Sequence, residues 1–141
     1  MAESTNKINK LTIVVGAGDD FSCNLTEPAQ NYLLIDARRE AADALQQSHA
    51  GDTRVDVQQT VITPVTGRTQ FYHYSLPEFS STLKPEALKQ LLPGLSLKGS
   101  EYVSGVSLSD IIAEELPAEH LELILNVPGQ ELALLRSLET T

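Results

Sequence analysis

Apolar positions in this chain gather into short unbroken runs divided by polar stretches. Leu11-Thr-Ile-Val-Val15 and Asn31-Tyr-Leu-Leu-Ile-Asp36 are such runs, and continuous rather than alternating apolar residues mark strands covered on both faces, as in a parallel sheet. The first closes on Gly16-Ala17-Gly18, a tight turn, and the second ends in a carboxylate. From Arg38 to Ser48, Ala41, Ala42 and Leu45 recur at helical spacing, and Gly51 is placed to stop the helix. Val55 to Ile62 alternates like a third strand broken near Pro64. Thr66-Gly67 is a turn signal ahead of a strand at Gln70–Tyr74.

Residues 75–107 are rich in Ser, Pro and Gly. One helix is expected inside them, with Pro85 in its first turn, Leu88, Leu91 and Leu92 on one face, and Gly94 past its end. Ser107-Leu-Ser-Asp110 reads as an N-cap with an acidic residue three positions on, opening a helix through Ile111, Ile112 and Leu116. Leu121–Leu125 is a fourth buried strand running into Asn126-Val-Pro-Gly129, and Gln130–Glu139 sets Leu132, Leu135 and Leu138 on one helical face.

Strands alternating with helices imply right-handed crossovers and an α/β fold, a Rossmann-like three-layer sandwich with a mostly parallel sheet. A 3-2-1-4 order would leave the fourth strand as an apolar edge that needs a cover or a partner, so a homodimer through an exposed sheet edge is expected. In such sheets ligands bind at the carboxyl ends of the strands, where strand order reverses. The turns at 16–20, 36–38 and 126–129 converge there.

Length and charge narrow the class. A chain of 141 residues suits one domain, here 11–141 behind a flexible polar tail at 1–10. No apolar run approaches the roughly 20 residues of a membrane span, and MAESTNKINK has no apolar segment of a signal peptide, so a cytoplasmic protein is expected. Cys23 is the single cysteine, so no internal disulfide forms. A net charge of -9 speaks against a nucleic-acid footprint, which needs a clustered Lys/Arg face.

Glycines at 16 and 18 allow close backbone approach, and Asp36 offers two oxygens to the vicinal hydroxyls of a ribose. Together they describe a pocket for an adenosine cofactor. Taken alone, the glycine pair is also an ordinary strand-to-helix turn, and Asp19 is equally a helix cap.

The order of elements resembles the FkbM-type methyltransferases, a branch of the S-adenosylmethionine-dependent enzymes. IVVGAG (13–18) matches their first glycine motif and LLIDA (33–37) their acidic second strand. VITPVTGRTQFYHY (61–74) follows their strand, glycine turn and aromatic strand, and SSTL (80–83) their serine-rich stretch. VSLSDII (106–112) matches a helix start, and LELILNVPGQELALLRSL (121–138) the segment around the signature K-I-D-x-E-G-x-E. The resemblance implies S-adenosylmethionine as cofactor, with Gly16, Gly18 and Asp19 around its methionine end, Asp36 on its ribose and Asn126 near the transferred methyl. It also implies O-methyl transfer to a small hydroxylated acceptor. Ile124, Asn126 and Pro128 stand where the signature has Lys, Asp and Glu, and only Gly129 and Glu131 remain. The first crossover, 19–30, is near the lower limit of about 10–12 residues, and the chain is short of a full methyltransferase fold. The alternative reading is therefore a catalytically degenerate domain that serves binding or assembly.

Other residues carry weaker signals, and Tyr72, His73 and Tyr74 read as strand packing ahead of the lining of an acceptor site. His49, His73 and His120 are scattered without zinc-ligand spacing, and no G-x-S-x-G elbow supports hydrolase chemistry. Cys23 lies among acidic residues, which raise a thiol pKa, so it is not a nucleophile. Glu114, Glu115, Glu119 and Glu122 read as a solvated helix face and loop.

Overall fold

The structure is a computed structural model that describes residues 10–18, 21, 23, 30–76, 80–82, 84, 90, 92–115, 120–127 and 130–138. The short first crossover at 19–30, the helix expected over 85–94, and Asp19, Leu116, Glu119, Pro128 and Gly129 lie wholly or mainly outside those residues. So does the tail, apart from Lys10, which opens the first strand. The chain forms two compact units, Met1–Gln59 with Glu115–Asn126, and Thr60–Glu114 with Val127–Thr141.

The first unit is built on a four-stranded, wholly parallel sheet. Its strands are β1 (Lys10–Val15), β2 (Gln30–Asp36), β3 (Val55–Gln59) and β7 (His120–Leu125), in the order β3-β2-β1-β7. This is the 3-2-1-4 order, with the strand expected fourth at the edge. In register, Val14 stands beside Leu34, and Leu34 beside Val57. Helix α1 (Arg39–Ser48) buries Ala41, Ala42 and Leu45, as its periodicity requires. Leu45 packs with Val14, Ala17, Tyr32 and Leu34, and Phe21, Cys23, Val55 and Val57 border that cluster. Gly51, at φ 86°, turns the chain back toward β3, a left-handed conformation in which a side chain would be strained.

β7 departs from expectation. It is mostly exposed rather than buried, with Leu121 39% and Ile124 37% accessible. Glu122, part of the strand expected at Leu121–Leu125 and of the acidic stretch read as solvated, is exposed on β7, where Thr12 Oγ1 donates to its Oε1 at 3.0 Å and Lys10 Nζ lies 3.7 Å away.

The second unit holds a three-stranded sheet in the order β4-β6-β5, formed by β4 (Val61–Thr63), β5 (Gly67–Tyr74) and β6 (Leu97–Ser107). β4 runs parallel to β6 and β5 antiparallel to it. The third strand expected over Val55–Ile62 is therefore two strands that serve different sheets. β6 adds a strand to the stretch 75–107, in which only a helix was expected: the last eleven of those residues are extended. Phe71 and Tyr74 face inward on β5, and Tyr74 packs with Leu95.

Helix α2 (Leu108–Glu115) starts where its cap motif places it: the Asp110 amide donates to Ser107 Oγ at 3.1 Å. Thr66 completes the cap. Its Oγ1 accepts the Ser107 amide at 2.8 Å and donates to Asp110 Oδ2 at 2.5 Å. In helix α3 (Glu131–Ser137) the buried residue is Leu134, 1% exposed, whereas Leu132 is 60% exposed. The face expected from Leu132, Leu135 and Leu138 is not the one buried. Among the described residues no helix is long and apolar enough to cross a membrane.

Candidate functional site

The chain leaves β1 at Val15 and turns through Gly16 and Gly18, at φ 80° and 79°. Both values lie in the left-handed region, where glycine avoids the clash of about 1–2 kcal/mol that a Cβ brings. The turn folds back over the end of β2. The amides of Gly16 and Ala17 both donate to Ile35 O, at 2.8 and 3.1 Å. Ala17 is thereby buried in the core of the unit.

Asp36, the last residue of β2, closes this arrangement. Its Oδ2 accepts the Gly18 amide at 2.9 Å and its Oδ1 accepts the Arg38 amide at 2.9 Å. Arg38 Nε lies 3.4 Å from the same Oδ1. The carboxylate is therefore held from both sides, and Asp36 is 6% exposed. A carboxylate has roughly four acceptor positions. The two amides and the Arg38 Nε contact leave part of that capacity unused.

Asn126 lies just past β7, where its amide donates to Val15 O at 2.8 Å. This bond sets it at the carboxyl end of β1, on the side away from β2. Strand order reverses at β1, because the chain passes from β1 through β2 to β3 and later returns to β1's other side as β7. The structure thus brings Gly16, Gly18, Asp36 and Asn126 to one end of one sheet. Asp19, Pro128 and Gly129 lie outside the described residues.

Two features escaped the sequence reading. The turn amides of Gly16, Ala17 and Gly18 are all engaged by β2, so they do not form a cradle of free donors. Arg38 had no role assigned at the site, although a basic residue two positions after a strand-terminal carboxylate was a usable signal.

Cys23 fits its expectation. Burial, with Asp52 nearby, pushes its thiol up to about 11. The backbone amide and guanidinium of Arg54 hold Asp52 below the ordinary carboxylate range. His73 pairs with Glu101 at 2.7 Å on the exposed surface of the second unit. A cavity of about 250 Å³ opens at the amino ends of β1–β3, beside Leu11, Asn31, Tyr32, Arg54 and Asp56, at the opposite end of the sheet from Asp36. Among the described residues no group of three or more His, Cys, Asp or Glu side chains is placed to hold a metal ion.

No protein-family model, curated protein or solved structure matches this chain.

Proposed function

We propose that the first unit is Rossmann-like and binds the adenosine of S-adenosylmethionine at the carboxyl end of its parallel sheet, as a methyltransferase-like protein of FkbM type. One observation carries this reading: Asp36 is fixed between the Gly18 and Arg38 amides at the point where strand order reverses. Asp36 accepts the ribose hydroxyls on its remaining acceptor positions, and Gly16 and Gly18 let the cofactor approach the backbone at the end of β1.

When bound, the cofactor supplies an electrophilic methyl group for O-methylation of a small hydroxylated acceptor. Asn126 donates to and accepts from groups at that end of β1 but takes no proton, so it orients rather than activates. Methyl transfer relies chiefly on holding donor and acceptor in line, and a chain without a general base at this position retains that contribution.

A second reading rests on a specific observation as well. The three turn amides are satisfied by β2, and the signature carboxylate is an asparagine. Both suit a degenerate methyltransferase-like domain kept for binding or assembly. Thermal unfolding with S-adenosylhomocysteine separates the two. A midpoint that rises with ligand concentration supports cofactor binding, and an unmoved midpoint at millimolar ligand supports the degenerate domain.

A further inference from the structure

The two edges of the parallel sheet differ in kind. β3 is five residues long and exposes Asp56 and Gln59, which discourages further strand pairing. β7 reads His-Leu-Glu-Leu-Ile-Leu and has no Lys, Arg or Pro. Among the described residues, only β1 pairs with it.

The direction of its free backbone groups follows from one bond. The Asn126 amide points to Val15 O, so the even-numbered residues of β7 turn their N–H and C=O toward β1. Leu121, Leu123 and Leu125 therefore turn theirs outward. Their side chains share one face of the sheet, because strand periodicity is two.

We propose that a second copy of this chain pairs antiparallel with β7 across a two-fold axis at Leu123, joining the two parallel sheets into one of eight strands. In this register every outward group is used. Leu123 faces Leu123 of the partner subunit, and Leu121 faces Leu125 of the partner subunit. The leucines form a continuous ladder on one face of the seam. On the other face, Glu122 meets Ile124 of the partner subunit while keeping its contacts to Lys10 and Thr12.

Charge decides among the registers. Moving the axis to Glu122 sets two carboxylates directly opposite, which is destabilising. Moving it to Ile124 leaves Leu121 without a partner inside β7. Only the Leu123 axis avoids the like charges and uses all three outward leucines. The seam is about 20 Å long, so the interface is small and the dimer is expected to dissociate on dilution. With each chain at -9, added salt should favour the dimer by screening repulsion.

The inference does not depend on cofactor binding, and its test leaves that reading untouched. Light scattering across a concentration series should show mass rising toward twice the 15.3 kDa chain. Leu121→Lys, a gatekeeper charge on the edge, should hold the mass at one chain with an unchanged circular dichroism spectrum. Cysteine crosslinking then reads the register in a Cys23→Ser background, where no other thiol exists. A Leu123 pair sits about 5.5 Å apart between Cα atoms, within disulfide reach, whereas an Ile124 pair sits about 8 Å apart. Oxidised Leu123→Cys should therefore form covalent dimer several-fold faster than Ile124→Cys. The reverse order would overturn the register. One-chain mass at all concentrations, with no crosslink from either cysteine, would overturn the dimer and leave the edge to a strand from a different protein.

Discussion

Asp36 Oδ2 accepts the Gly18 amide proton at 2.9 Å, which ties the end of β2 to the turn that follows β1. The same carboxylate accepts the Arg38 amide, so two chain segments far apart in sequence are fixed by one buried side chain. The local stability of the first unit therefore rests on the same residue that the proposed cofactor site uses.

Asp36→Asn tests the structural half. An amide can accept from only one of the two backbone N–H groups and presents an NH₂ to the other, leaving a donor opposed to a donor. A buried donor without a partner costs about 1–3 kcal/mol. Urea unfolding should show a loss of that size. A loss below half a kcal/mol would mean that water satisfies these amides and that the carboxylate is not their anchor.

Gly105 tests the second unit. A Cβ there would lie 2.7 Å from both Cγ2 and Oγ1 of Thr63 and 3.2 Å from Gly67 O. Thr63 is β-branched and buried, so it has little freedom to move aside. Gly105→Ala should destabilise by about 1–3 kcal/mol through overpacking. Gly99→Ala, on the same strand with nothing within 4 Å of the new carbon, is the matched control and should be neutral or slightly stabilising. Equal midpoints for the two variants in thermal unfolding would contradict the close approach of β4 to β6.

The elements that were legible in the sequence are those whose surroundings are uniform. β1 and β2 lie deep in the sheet, so their runs are apolar throughout, and α1 buries one clean stripe of Ala41, Ala42 and Leu45. β6 was not legible because residues 97–102 are exposed on both faces, and its Ser and Gly residues leave neither an apolar run nor an alternation to read. The face of α3 was misread for a different reason. Leu132, Leu134, Leu135 and Leu138 admit two stripes, and only packing selects Leu134. At the site, positions were legible and bonding was not. Glycines after a strand and an acid at a strand tip announce themselves. That the turn amides are engaged by Ile35 and Asp36 follows only from the register of β1 on β2.

Cys23 gives a pH prediction with a definite sign. Its thiol is raised from 9.0 to about 11, first by burial and then by Asp52. The folded chain therefore holds this proton more tightly than the unfolded one. The contribution to stability is intact below pH 9 and is lost as pH rises from 9 toward 11. Alkylation of the native protein by iodoacetamide should remain slow through pH 9 and still be accelerating near pH 10.5, about where a thiol of this pKa is partly ionised. A rate that levels off by pH 9 would show an ordinary, solvated thiol.

Calorimetric titration of S-adenosylhomocysteine into the native chain and into Asp36→Ala tests the central claim most directly. Circular dichroism is recorded on both proteins to verify folding. The cofactor-binding account predicts saturable heat with the native chain and its loss in the folded Asp36→Ala variant. No heat with the native chain at millimolar ligand, or undiminished affinity in Asp36→Ala, would contradict it.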